Sequence, residues 1–182
     1  MSHTRGFTFK LAGIAGFTVL AIVVVLFLPP VPQDLAYHDF VDQRTLYGIL
    51  NFWNVVSNLL FVIAGLLGLL LLAGKQPVPG GLPELRTAYR VFFAGVLLTG
   101  FGSAYYHLDP SNASLVWDRL PMTLAFMAFF SMVIGEYLSP GLGRALLWPL
   151  LAVGTLFIYM ALCRRRPVGN DCTTTKTGTI LR

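Results

Sequence analysis

Ser103 and His107 stand four residues apart, and Asp118 follows the histidine by eleven residues, with Asp109 between them. On a helix, positions i and i+4 share a face, so the hydroxyl and the imidazole face the same way. An imidazole that binds a divalent metal, with a hydroxyl and a carboxylate to orient a metal-bound water and handle its proton, is equipment for hydrolysis. Upstream, His38, Asp39, Asp42 and Arg44 crowd one short connector, and Asn51, Asn54 and Asn58 recur at i, i+3 and i+7. Each alone has a plain structural reading. Asn51 and Asp118 fit helix caps. Asp39 and Asp42 with Arg44 fit a solvated ion-pair cluster worth under ~1 kcal/mol. Asn54 and Asn58 fit hydrogen bonds between packed helices, and a lone histidine at the end of an apolar run fits a membrane boundary. Their joint placement at one level favours a site.

The elements that must hold these residues are apolar. Of 182 residues, 55% are hydrophobic and 12% charged, with a mean hydropathy of +0.70. Soluble domains carry about twice that charged fraction, so the composition excludes an ordinary soluble globular protein. The net charge of +5 does not indicate nucleic acid, because the basic residues lie between apolar runs or near the C-terminus. Two cysteines, Cys163 and Cys172, exclude a disulfide framework as a folding device. The expected fold is an all-α polytopic transmembrane helix bundle with five apolar spans: Leu11 to Leu28, Phe52 to Gly74, Val91 to Leu108, Leu120 to Leu138 and Ala145 to Cys163. The first, as a helix, reaches about 27 Å and just crosses a hydrocarbon core; it reads as an uncleaved signal-anchor. Pro121 is expected in the first turn of the fourth, where its missing N–H costs little.

Three regions follow: a cytoplasmic N-terminus over 1–10, a membrane domain over 11–162 and a polar, disordered tail over 163–182. Orientation follows from the short connectors. With the N-terminus inside, Arg5, Lys10, Lys75, Arg86, Arg90 and Arg144 lie inside, against Arg44 and Arg119 outside. The polar group is then at the outer face. Arg164, Arg165, Arg166, Lys176 and Arg182 reverse this pattern; either the topology is the other way, or the tail was not shaped with the bundle, as a premature or out-of-frame ending after Leu162 would explain.

The segments DFVDQR, NFWNVVSN, GSAYYHLDP and VWDRLPM resemble the alkaline ceramidase family, within the wider superfamily of seven-span hydrolases that includes adiponectin-receptor relatives. The resemblance covers Tyr37 to Leu162, with four motifs in the family's order; the leading span resembles an extra N-terminal helix of some bacterial members. It implies hydrolysis of the ceramide amide to a sphingoid base and a fatty acid with intramembrane zinc. Carried over by motif, His107 is implied as a zinc ligand, and Ser103 and Asp118 as the pair that positions the zinc-bound water and the oxyanion. Asp39, Asp42 and Asn51 fall on the family's calcium motif. Asn51 stands where that motif has a Glu, and Arg44, which cannot ligate calcium, where it has an Asn.

The family takes two further zinc ligands from an H-x-x-x-H pair on its last span. This sequence contains only His3, His38 and His107, and by the expected topology only His38 is on the right side to join His107. Catalytic zinc takes three protein ligands and an open position. The expectation is therefore a C-terminally truncated ceramidase-type hydrolase of a bacterial inner membrane, its site at the periplasmic face and its partners a ceramide-like lipid and the bilayer. The alternative is a non-catalytic scaffold or receptor-like lipid-binding bundle. A transporter is disfavoured, since no span carries paired Gly/Pro interruptions at midplane depth.

Overall fold

A computed structural model of the chain describes residues 34–74 and 80–163, with isolated positions of the leading apolar run. Residues 1–31 and 32–182 form separate units of contacts. In the first unit, positions 16, 19, 20, 23, 24 and 27 are helical. The rest of the expected first span, the N-terminal region 1–10 and the tail beyond 163 lie outside the described residues.

The second unit is all-helical. A 3-10 turn at Leu35–His38 leads into an irregular connector. The helices that follow are α1 (Phe52–Val56), α2 (Leu59–Leu71), α3 (Arg86–Leu108), α4 (Asn112–Tyr137) and α5 (Pro140–Ile158), the last running on into a π-helical turn at Tyr159–Cys163. Taking α1 and α2 together, four stretches are long and apolar enough to cross a membrane: Phe52–Leu71, Pro83–Leu108, Asn112–Tyr137 and Pro140–Ala161. The sequence predicts five; the described residues hold four, and most of the leading run, expected as the first span, lies outside them.

The boundaries differ where local chemistry overrides hydropathy. α4 begins at Asn112, not near Leu120. Ser111 and Ser114 form a reciprocal capping box, the Ser111 hydroxyl accepting from the Ser114 N–H at 3.1 Å and the Ser114 hydroxyl accepting from the Ser111 N–H at 3.0 Å. Pro121 therefore lies inside the helix, and Asp118 is a buried interior residue rather than a cap. The second span is broken at Ser57 and Asn58, where the Asn58 amide donates to the Asn54 carbonyl at 2.7 Å.

Burial runs opposite to a soluble bundle. Leu59, Leu60, Phe61, Ile63, Leu66, Leu67, Leu70 and Leu71 of α2 are exposed, while its buried positions are Gly65 and Gly68. α3 buries Gly95, Thr99, Gly100 and Ser103, and α4 buries Ala125, Ala128, Ser131 and Gly135. Small residues at the seams let backbones approach, and large apolar residues face outward; this is how helices pack in lipid. A Cβ added to Gly95 would sit 2.7 Å from the Ala125 nitrogen, and one added to Gly143 2.5 Å from the Gly135 Cα. The chain is built as a multi-pass membrane protein.

At the end away from the polar group, arginines of α3 finish α2. Arg86 and Arg90 donate to the Leu72 carbonyl at 3.2 and 2.9 Å, and Arg86 also to the Gly74 carbonyl. Cations at helix C-terminal carbonyls are favourably placed, which ties α2 to α3 in antiparallel register. The polar ends of α1, α3 and α4 thereby come to the same end of the bundle.

Candidate functional site

α3 carries Ser103 and His107 in its last two turns, and α4 carries Asp118 in its second. Ser103 and Asp118 are each only 8% exposed. The contact that brings their helices together involves the preceding residue on each: a Cβ on Gly102 would run into the Trp117 carbonyl, with the Pro121 ring 3.3 Å away. The Asp118 carboxylate lies 3.6 Å from the Arg119 guanidinium. Arg119 donates to the Tyr37 hydroxyl and lies 6.0 Å from that ring's centroid.

His107 is half-buried, packed by the Phe40 ring at 4.6 Å between centroids. Its Nδ1 is buried and has no hydrogen-bond partner. Buried polar groups are nearly always satisfied, so an imidazole nitrogen left free marks a position built for something else. A metal ion is one such partner.

His38 does not supply a second ligand. Its Nδ1 is 2.9 Å from the Tyr106 hydroxyl and its Nε2 3.2 Å from the Asn112 amide oxygen. With Nε2 donating to Asn112, Nδ1 accepts from Tyr106, and both ring nitrogens are engaged. Among the described residues no three His, Cys, Asp or Glu side chains are placed to hold a metal ion together. His107 fits a zinc ligand, but the described residues do not complete a zinc site.

The residues expected to bind calcium are also engaged. One Asp42 oxygen takes the Arg44 Nε at 2.6 Å, and the other accepts the Trp53 N–H at 3.2 Å. The guanidinium beside Asp42 holds its carboxyl below the usual carboxylate range, against a smaller opposing effect of burial. Asp39 accepts from the Gln43 amide at 2.6 Å. Asn51 sits at the N-cap position of α1 but makes no side-chain cap bond. Its backbone is left-handed, at φ 49°, and its amide donates instead to the His107 carbonyl at 2.8 Å. Asn51 is thus off the helical face predicted for it with Asn54 and Asn58. Asn54 donates to the Asp42 carbonyl at 3.3 Å. Arg44 occupies the position a divalent cation would need, and these residues do not fit calcium.

Sequence reasoning passed over Tyr37, Phe40, Tyr106 and Asn112. Tyr106 and Phe40 differ in no obvious way from the aromatics of a membrane interface, so residue type alone gave no signal. Only the adjacency of Tyr106 to His107 pointed to it.

A helical bundle of membrane-crossing length with a buried hydroxyl, a buried carboxylate and a half-buried imidazole at one end defines a class: multi-pass membrane proteins with a polar site at one end of the bundle. Within that class the chain belongs to the Ceramidase family, whose model matches residues 43–176. That membership supports ceramide hydrolysis as its general activity, a lipid as its substrate class and metal dependence as the family's habit. No curated protein and no solved structure matches the chain.

Proposed function

We propose that the chain is a zinc-dependent amide hydrolase of a bacterial inner membrane, acting at the outer face on ceramide-type lipids and releasing a sphingoid base and a fatty acid. The observation that carries this reading is the buried, unpartnered Nδ1 of His107, at the end of the bundle that also buries Ser103 and Asp118. His107 supplies one metal ligand, and the described residues place no second and third protein ligand of the set that catalytic zinc takes. Zinc, when bound, supplies Lewis acidity and a lowered water pKa.

The chain's own residues do the rest. A carboxylate buried among apolar helices and facing the site is suited to take a proton from the attacking water and return it to the departing amine. The Ser103 hydroxyl donates a hydrogen bond to the oxygen of the scissile carbonyl as negative charge develops there. Arg119 and Tyr37, beside Asp118 at the rim, hold the carboxylate and meet the polar end of the lipid. The amide of a ceramide lies just below headgroup level, which suits a site at the ends of α3 and α4.

The test is release of labelled fatty acid from an N-acyl sphingoid lipid by membranes containing the chain, together with zinc binding by the purified protein. We expect both to be lost in His107→Ala with helix content unchanged. Unaltered release in that variant would refute the reading.

The absence of a three-ligand cluster among the described residues favours a second reading, a non-catalytic lipid-binding bundle. It predicts no fatty-acid release and no His107-dependent zinc binding, with retained binding of ceramide.

A further inference from the structure

His107 lies in the last turn of α3, where backbone carbonyls have no helical donor. The residue four positions on, Ser111, gives its N–H to the Ser114 hydroxyl. The His107 carbonyl is met instead from 56 residues upstream, by the Asn51 amide at 2.8 Å.

Asn51 reaches it from a constrained position. Its φ of 49° and ψ of 45° are a conformation that costs a non-glycine residue about 1–3 kcal/mol unless its surroundings enforce it. Asparagine tolerates it better than most residues, but where only the turn mattered glycine would serve, as at Gly48 with φ 79°. The backbone is pinned on both sides: the Phe52 N–H donates to the Arg44 carbonyl, and the Asn51 carbonyl accepts from Val55, both at 3.1 Å. A strained residue clamped in this way delivers its side chain to one place.

The same connector touches the last turn of α3 twice more. Phe40 packs against the His107 ring at 4.6 Å between centroids, tilted by 58°, and His38 bonds the neighbouring Tyr106 hydroxyl at 2.9 Å. Since Nδ1 of His107 has no partner, no hydrogen bond at that atom sets the ring's place. Its backbone anchor and the packing of the Phe40 ring against it contribute that hold.

We infer that Asn51 is a positioning residue: its amide fixes the final turn of α3 and so holds the His107 imidazole ready for a ligand. This deepens the hydrolase reading and rests on it for the identity of that ligand.

The experiment uses the full chain, labelled with 15N-histidine in detergent, and follows the imidazole signals of its three histidines, assigned by His→Gln variants. Asn51→Gly removes the amide and relieves the backbone strain. Asn51→Asp keeps the shape, but an ionised carboxylate cannot donate. In both we expect the His107 imidazole signals to broaden or split while helix content is kept, and zinc affinity, measured with the metal alone, to fall about tenfold or more, as for other outer-shell partners. His107 signals and zinc affinity unchanged in both variants, with only a lowered thermal midpoint, would reduce the contact to a structural one and overturn the inference. If the unaltered chain binds no zinc through His107, the hydrolase reading fails. The imidazole spectra then still decide whether Asn51 positions the ring.

Discussion

Gly102 packs directly on the carbonyl of Trp117, so closely that a Cβ would occupy the oxygen's place. That carbonyl would normally accept from the amide of residue 121, but Pro121 has no N–H. One backbone oxygen is thus freed by a proline on α4 and covered by a glycine on α3, one residue before Asp118 and one before Ser103.

The prediction is that Gly102→Ala forces α3 and α4 apart at the end that carries Ser103 and Asp118. Overpacking a tight seam costs about 1–3 kcal/mol, and here the obstacle is backbone rather than a side chain that can swing away. We expect a lower thermal midpoint and a loss of hydrolysis larger than the loss of folded protein. Gly141→Ala is the control, because its Cβ would meet only the Ser139 hydroxyl at 3.9 Å. Equal behaviour of the two variants would show that the close approach at Gly102 has no bearing on the site.

A second seam is testable through stability alone. The Ser131 hydroxyl, wholly buried, donates to the Gly143 carbonyl at 2.8 Å across α4 and α5. Polar bonds between membrane helices are worth about 0.6 kcal/mol on average and up to about 1.7, so Ser131→Ala should lower stability by that much. Gly143→Val should cost more, since its Cβ alone would lie 2.7 Å from the Ser131 carbonyl oxygen. Reversible unfolding in mixed detergent measures both. The reverse order would mean that the hydrogen bond, not the close approach, holds this seam.

His38 and His107 should separate in their effects. Removing His38 strips partners from Tyr106 and Asn112, so His38→Ala should destabilise by about 1–3 kcal/mol, the cost of leaving partly buried polar groups unpaired. It should leave zinc affinity nearly unchanged. His107→Ala should do the opposite, because the nitrogen it deletes has no partner to strand. Isothermal titration with zinc beside thermal unfolding reads both quantities. A loss of zinc binding in His38→Ala would restore that residue as a ligand.

How much of this was visible in the sequence divides along the kind of interaction. Four of the five apolar spans, and the placement of Ser103, His107 and Asp118 at one end of the bundle, were legible because hydropathy and helical period depend only on local order. Gly65, Gly68, Gly95, Gly100 and Gly102 lie where helices approach closely, but their order in the sequence does not say which neighbouring atoms each meets. The start of α4 was not legible, because a Ser–Ser capping box outranks the fall in hydropathy before Leu120. Nor was the destination of the Asn51 amide. A left-handed residue leaves the helical face its spacing suggests, and no periodicity announces it. The use of both His38 nitrogens depends on Tyr106 and Asn112, which are 68 and 74 residues away.

The connector itself should respond to acid and not to calcium. The Arg44 hydrogen bond, aided by the Trp53 N–H, holds the Asp42 carboxyl below its ordinary range. A carboxyl whose folded pKa is depressed stabilises the fold at pH values above its unfolded pKa, near 3.9, and loses that contribution as pH falls through the folded value. The connector should therefore be intact from neutral pH down to about 4 and loosen below it, with Trp53 fluorescence as the reporter in a chain where Trp117 and Trp148 are replaced by Phe. Arg44→Ala should move that transition to higher pH, toward the ordinary carboxylate range. Because the guanidinium already neutralises Asp42, millimolar calcium or a chelator should leave the transition where it is in the parent chain. A calcium-dependent shift there would show that the cation competes successfully with Arg44, and that the connector is held by an ion after all.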